Sequence, residues 1–165
     1  MGYRLSPTTM ASAILLPPPY TGSYTIGPDD LSGEGGGGTS TVLFDAVGPS
    51  SAGQGAGATT SITWSHTCSG NNRYVIVGCS NSSDASTTTA TFGGVSMTSL
   101  GKIHSNNSTS GYTQLFGLVN PPTGASTVVV TSSVSASLTG GSISFSEADQ
   151  TTPVGTAVTA GGSGT

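Results

Sequence analysis

Glu147 and Asp149 form the sharpest carboxylate pair in the chain. Two residues apart on an extended segment, they would leave the face that also carries Ile143 and Phe145. Carboxylates paired in this way serve glycosidic hydrolysis or hold Ca²⁺ through their oxygens. No third acid follows in a spaced Asp-x-Asp pattern, which favours a strand that ends near Ser146 with both groups turned to solvent or to loop amides. Asp45 and Asp84 are isolated acids with the same reading. His66 and His104 are the only imidazoles, and neither has a His-x-His or Cys-x-x-Cys companion that would make a metal site. His66, close to Trp64, reads as a hydrogen-bonded and partly buried group. A Ser/His/Asp set can be drawn on paper from any chain so rich in serine, and no Gly-x-Ser-x-Gly nucleophile elbow is present. These residues therefore predict a non-enzymatic protein with no catalytic group, cofactor or metal.

The elements that would position them are strands. From residue 41 short Val/Ile/Thr/Tyr-rich runs alternate with turn residues at regular spacing, the pattern of an antiparallel β-sandwich of jelly-roll or immunoglobulin-like type. Strands are expected at 41–46, 60–68, 73–80, 87–92, 95–100, 102–105, 112–119, 126–132, 141–148 and 154–158, with no helix. A loop at Ser69-Gly70-Asn71-Asn72 would pair Ile62 with Cys79, Trp64 with Val77 and His66 with Val75, leaving Thr63, Ser65 and Thr67 outside. Gly93-Gly94 would close a second hairpin, pairing Phe92 with Val95 and Ala90 with Met97, because a two-residue loop needs positive φ. A third turn at Asn120-Pro121-Pro122-Thr123-Gly124 would join Leu115–Val119 to Val128–Val130.

An even cysteine count in a hydroxyl-rich chain suggests a disulfide between Cys68 and Cys79. In the first hairpin, however, Cys79 would lie opposite Ile62, about 20 Å from Cys68 at ~3.3 Å per residue. Bridged Cα atoms lie within ~7 Å, so two separate thiols are expected. The triplets beginning at Asn81, Asn106 and Asn107 match a glycosylation acceptor and imply surface loops.

Charged residues make up 6% of the 165, the net charge is -4, and the bases are Arg4, Arg73 and Lys102. No row of phosphates could be neutralised by so few cations, which excludes nucleic-acid binding and electrostatic membrane attachment. No run reaches the ~18 apolar residues of a membrane helix, and the run 11–16 stops at Pro17-Pro18-Pro19, too short for a signal peptide. Residues 1–40 carry most of the prolines and the Gly35–Gly38 run without any period of 2 or 3.6, so they form an extended arm and linker, and 41–165 form the sandwich domain. Met10, Ile14, Leu15, Leu16, Tyr20 and Tyr24 are too apolar for a plain spacer and mark the arm as an anchor that lies on a partner.

Several ordered motifs remain: Thr63-Trp64-Ser65-His66-Thr67, Asn72-Arg73 before Val75-Ile76-Val77-Gly78, and Thr91-Phe92-Gly93-Gly94-Val95-Ser96-Met97-Thr98. Leu118-Val119-Asn120-Pro121-Pro122-Thr123-Gly124, Val128-Val129-Val130-Thr131, and Ser144-Phe145-Ser146 with Asp149-Gln150-Thr151-Thr152-Pro153 continue the series. Over 42–158 the chain thus resembles a small all-β domain of structural proteins of tailed bacteriophages, notably actinobacteriophages, which also occurs in bacterial surface proteins. The resemblance implies a virion component with a binding or decorating role and no catalytic residues; together with the arm, the expectation is a tail or tail-tip protein joined to other virion proteins through that arm in a symmetric or homo-oligomeric assembly. Similar domains continue with further strands, so either a neighbour completes an unfinished sheet edge or the sequence is a shortened piece. A capsid decoration protein is the alternative within that class. A carbohydrate-binding adhesin is the alternative outside it, with Tyr74 on the outer face and Tyr112 as candidate stacking residues for a cell-surface glycan. A glycan-degrading enzyme rests only on Glu147 and Asp149.

Overall fold

A computed structural model describes residues 41–49, 54–105, 110–158 and 160. The expected arm and the triplets at Asn106 and Asn107 lie outside these residues. Within them the chain is all-β, with antiparallel pairing throughout and no α-helix. The strands are β1 (Leu43–Gly48), β2 (Gln54–Cys68), β3 (Tyr74–Asn81), β4 (Thr88–Phe92), β5 (Val95–Ser96), β6 (Thr98–His104), β7 (Tyr112–Val119) and β8 (Gly124–Ser146). They form one nearly closed sheet in the order β5-β4-β8-β3-β7-β6, with β1 and β2 also paired to β8.

β8 organises this sheet. Its first half pairs with β2 on one side (Trp64↔Val128, Cys68↔Gly124) and with β4 on the other (Phe92↔Val128, Thr88↔Ser132). Its second half pairs with β3 (Val75↔Ser144, Asn81↔Leu138) and with β1 (Phe44↔Phe145, Val47↔Ile143). Between the halves β8 advances from Thr131 to Ala136 while β2 moves only from Ser61 to Thr59, so five steps oppose two. The three surplus residues bend the strand. Ser132 secures the bend, its Oγ donating to the Val134 carbonyl at 2.8 Å. The sheet curls there, and the inward residues of β2 meet those of the second half of β8.

Alternation supplies the core. Ile62, Trp64, His66 and Cys68 of β2 are buried, whereas Thr63, Ser65 and Thr67 are exposed, as expected from the sequence. Val75, Val77, Phe92, Phe116, Val128, Val130 and Leu138 fill the remaining interior. Each such side chain contributes roughly 1.5–3 kcal/mol relative to exposure. The Gly93-Gly94 hairpin also follows the expected register: Phe92 pairs with Val95, Met97 N–H donates to Ala90 at 3.0 Å, and both glycines have positive φ.

Four expectations are corrected. β2 and β3 are not a hairpin: β2 pairs with β8, and β3 lies between β7 and β8. Inward apolar residues accept any apolar partner, and Val128 and Val130 serve Trp64 and Ile62 as Val77 and Cys79 would have. The segments 126–132 and 141–148 belong to one 23-residue strand, because the polar run between them is a bend rather than a turn. The strands 95–100 and 102–105 divide instead at Met97, giving β5 and β6. No strand forms at 154–158, where Val154 and Val158 are exposed; Glu147, at φ 56°, turns the chain out of the sheet, and Asp149 caps the amides of Thr151 and Thr152 at 2.7 and 2.8 Å.

Cys68 and Cys79 are both free and buried, as expected, although the hairpin used to separate them does not exist. Burial pushes the Cys79 thiol up to about 11 and raises Cys68 as well. At pH 8 neither thiol is expected to react with an aromatic disulfide reagent on the timescale of a free thiol until urea unfolds the chain. A fast thiol in the native protein would contradict this burial.

Close approach explains one glycine. Gly117 of β7 stands beneath the Tyr74 ring, and a Cβ there would collide with Tyr74 Oη and sit 3.2 Å from Leu100 Cδ1. Gly117→Ala is expected to cost ~1–3 kcal/mol by overpacking, read as a lower urea midpoint. A midpoint equal to wild type would show that the phenol moves aside freely.

Candidate functional site

A chain of hydrogen bonds, buried from Trp64 to Ser144 and opening to the surface at Asp45 and Ser69, ties β1, β2 and β8 together. β2 alternation turns Trp64 and His66 inward, β8 alternation does the same for Ser142 and Ser144, and the β1 irregularity between Phe44 and Ala46 places Asp45 beside them. Trp64 Nε1 donates to Ser142 Oγ at 2.9 Å, and Ser142 Oγ lies 2.9 Å from His66 Nδ1. His66 Nε2 lies 2.9 Å from Ser144 Oγ, which donates to Asp45 Oδ2 at 2.7 Å. The Ser69 amide donates to Asp45 Oδ2 at 2.9 Å, and its hydroxyl donates to Oδ1.

A carboxylate only accepts, and this fixes the proton order. Ser144 must give its proton to Asp45, so His66 Nε2–H donates to Ser144. Nδ1 of the neutral ring is then the acceptor for Ser142, whose oxygen receives the indole proton. Burial holds His66 below its ordinary value against the opposing pull of Asp45. Burial would raise the Asp45 carboxyl, but the Ser69 hydroxyl and amide and the Ser144 hydroxyl together bring it below its ordinary value.

This arrangement contains the elements of a serine–histidine–aspartate relay, with a second hydroxyl inserted between base and acid. Its surroundings suit a structural tie. His66 and Ser144 are buried, and a Cβ at Gly48 would stand 2.8 Å from His66 Nδ1, so the β1 backbone packs directly on the ring. An acyl group approaching Ser142 Oγ would meet the Trp64 indole and the Gly48 backbone.

Folding depresses the His66 pKa, so as pH falls through about 6.5 the unfolded chain takes up the proton first. Stability is full above that pH and is lost progressively as pH descends toward the folded value. Asp45 extends the loss below pH 3.8 in the same direction. Urea unfolding from pH 7 to 5 is expected to give a falling midpoint, and His66→Asn is expected to be less stable at pH 7 with that slope reduced. An unchanged slope in the variant would assign the pH dependence to other groups.

A second polar cluster closes the other end of the interior. Asn81, expected as a surface acceptor, is buried instead, and its Nδ2 donates to Ser132 Oγ at 2.9 Å and to Thr88 Oγ1 and Tyr112 Oη at 3.3 Å. Tyr112 Oη also contacts Ser86 Oγ at 3.0 Å and Thr88 Oγ1. Lys102 Nζ sits 3.6 Å from the centre of the Tyr112 ring, and His104 Nδ1 meets Asp84 Oδ1 at 2.6 Å. Among the described residues every buried side-chain nitrogen and oxygen has a partner.

Tyr112 is therefore 2% exposed and Tyr74 3%, and neither offers a ring face for stacking. Tyr74 does occupy the outer face of β3, but it is covered there. Glu147 and Asp149 do not converge: β8 ends at Ser146, Glu147 accepts from Asn72 Nδ2 at 3.3 Å, and Asp149 caps its own turn. Among the described residues no group of three His, Cys, Asp or Glu side chains could hold a metal. Met10, Ile14, Leu15, Leu16, Tyr20 and Tyr24 lie outside the described residues.

One surface went unread in the sequence. On the outer side of β1, β8, β3 and β7, the register aligns Phe44, Phe145, Tyr74 and Val119 in one row and Val47, Ile143, Ile76 and Gly117 in the next. Gly141, Gly78 and Leu115 follow in a third. No charged residue occurs in these rows. Phe44 is 63% exposed, Val47 51%, Leu115 45% and Val119 39%. The unbroken Val75-Ile76-Val77 run was the available signal, since a strand apolar on both faces is covered on both or binds something. Comparisons of the chain with protein-family models, curated proteins and solved structures find no match.

Proposed function

We propose that the chain is a non-enzymatic structural component of a bacteriophage virion, a minor tail or tail-tip part. Its body is a jelly-roll or immunoglobulin-like sandwich, and its arm, residues 1–40, anchors it among other virion proteins. The supporting observation is the charge-free outer sheet face with Phe44, Val47, Leu115 and Val119 exposed. The buried polar groups of the body are engaged with one another, so apolar area is what remains for binding. The ordered motifs of the sequence supply the virion context. Burial of Tyr74 and Tyr112 removes the stacking residues on which a glycan-binding adhesin rested.

The test uses the full chain. Leu15→Asp combined with Leu16→Asp is expected to leave the β-sheet circular dichroism unchanged and to lower the copy number in purified particles about tenfold or more, a loss of ~1.4 kcal/mol or greater. Undiminished incorporation, counted by quantitative mass spectrometry, would refute the anchoring role. In the wild type, a few copies per particle support the tail position and hundreds support capsid decoration.

A further inference from the structure

The outer face is bordered as an interface is bordered. Beyond its three apolar and glycine rows the register places a fourth, Thr139, Ser80 and Thr113, all exposed, with Ser80 Oγ 3.0 Å from Thr113 Oγ1. An apolar centre that ends in a polar rim is the division found where proteins meet. The charges that flank the face are engaged elsewhere. Asp45, between Phe44 and Val47, accepts from Ser69 and Ser144. Arg73 is held by the carbonyls of Pro121 and Gly70 and by Asn120 Oδ1, and Lys102 lies over the buried Tyr112 ring. A charged partner would find no counter-ion here, so the complement of this face is itself apolar and uncharged.

A second copy of the face meets that description, and its relief matches itself. Phe44, Phe145 and Val119 give the first row bulk, whereas Gly141 and Gly78 leave the third row low as far as Leu115. Between them lie Val47, Ile143 and Ile76, with the Tyr74 ring filling the space above Gly117. A two-fold axis along this middle row turns the first row of each copy onto the third row of the other. Phe145 then stands over Gly141 and Val119 beside Leu115, and the symmetry makes each contact twice.

The area suffices for a pair. Five strands, from β1 across β8, β3 and β7 to β6, at ~4.8 Å each, and three rows of two residues at ~3.3 Å, make a patch of about 24 by 20 Å. Two copies would together cover about 1,000 Å², which reaches the lower bound of a specific interface and falls short of the ~1,600 Å² of a standard one. Such a pair is weak and depends on concentration.

We propose that the protein forms a symmetric dimer through this face, sheet against sheet, with Phe145 and Val119 of each copy seated on Gly141 and Leu115 of the other. The proposal rests on the reading of the face as a binding surface and not on the virion role.

Sedimentation of the full chain tests it. Between about 1 and 100 μM the wild type is expected to pass from monomer to dimer, the range of a weak interface. Leu115→Asp and Val47→Asp, each at a side chain about half exposed, are expected to weaken association about tenfold or more with unchanged β-sheet circular dichroism. Thr63→Asp, on the exposed side of β2, is the control and is expected to associate as the wild type does. A wild type that stays monomeric, or a dimer indifferent to both face substitutions, would overturn the proposal. A second measurement reads the pairing of rows. Val119→Cys and Leu115→Cys chains, mixed and treated with a bis-maleimide of ~10 Å reach, the spacing of packed sheets, are expected to cross-link severalfold faster than either variant alone. The native Cys68 and Cys79 are buried and stay out of the reaction. A mixture no faster than its components would overturn the two-fold arrangement. Neither readout involves particles, so failure of the dimer and failure of the arm as an anchor are told apart.

Discussion

Asp45 has one role on which much of the interior depends: it accepts. Because a carboxylate cannot donate, the proton on Ser144 is directed toward it, the Nε2–H of His66 toward Ser144, and the lone pair of Nδ1 toward Ser142. The chain ends at the Trp64 indole, which has only a proton to give. Reversing one of the buried links among Trp64, Ser142, His66 and Ser144 leaves two donors or two acceptors facing each other, at ~1–3 kcal/mol for each unsatisfied group. Apolar contacts among Val75, Val128 and Leu138 would tolerate small slips of one layer over the other, whereas this directed chain does not. It sets which residues of β1 and β2 meet which residues of β8.

That constraint works only because β8 bends. Trp64 is hydrogen-bonded in register beside Val128 yet donates to Ser142, fourteen positions further along the same strand. A straight strand would carry those positions about 46 Å apart at ~3.3 Å per residue. The surplus residues near Ser132 supply the turn, and Ser132 is held both by its own local bond to Val134 and by Asn81 from β3. The two buried polar clusters thus have distinct tasks. The Asn81–Ser132 group fixes the bend, and the Asp45–His66 group fixes the layers that the bend brings together.

Strand positions were largely legible in the sequence, because alternation is a local property: Ile62, Trp64 and Phe92 announce an inward face whatever lies across from them. Partners were not legible, because an apolar face does not specify its neighbour, and β2 exchanged the expected β3 for β8 on that ground. The bend in β8 was hidden by the hydroxyl-rich stretch 131–137, whose composition suits a turn and an irregular strand equally. His66 was correctly read as a hydrogen-bonded group, but its link to Asp45 crosses 21 positions and two strands, and no spacing rule reports that. Tyr74 was placed on the proper face and still misjudged: alternation says which side a ring leaves from, and only Gly117 and Leu100 decide whether it ends in solvent.

The distribution of polarity follows from these assignments and differs from the usual arrangement. His66, Asn81 and several hydroxyls lie within, fully partnered, with the half-buried Asp45 at their edge, while Phe44, Val47, Leu115 and Val119 lie outside without charges among them. Directional bonds are most useful inside, where low polarity strengthens them and each unmade bond is costly, so they specify one packing of a small core. Apolar area is most useful outside, where contact with a surface of matching shape releases water without requiring a charge pattern. A chain with 6% charged residues has few other means of recognition. Its hydroxyls keep the rest of the surface wet, and the rows around Gly78 and Gly141 are left as a charge-free apolar face.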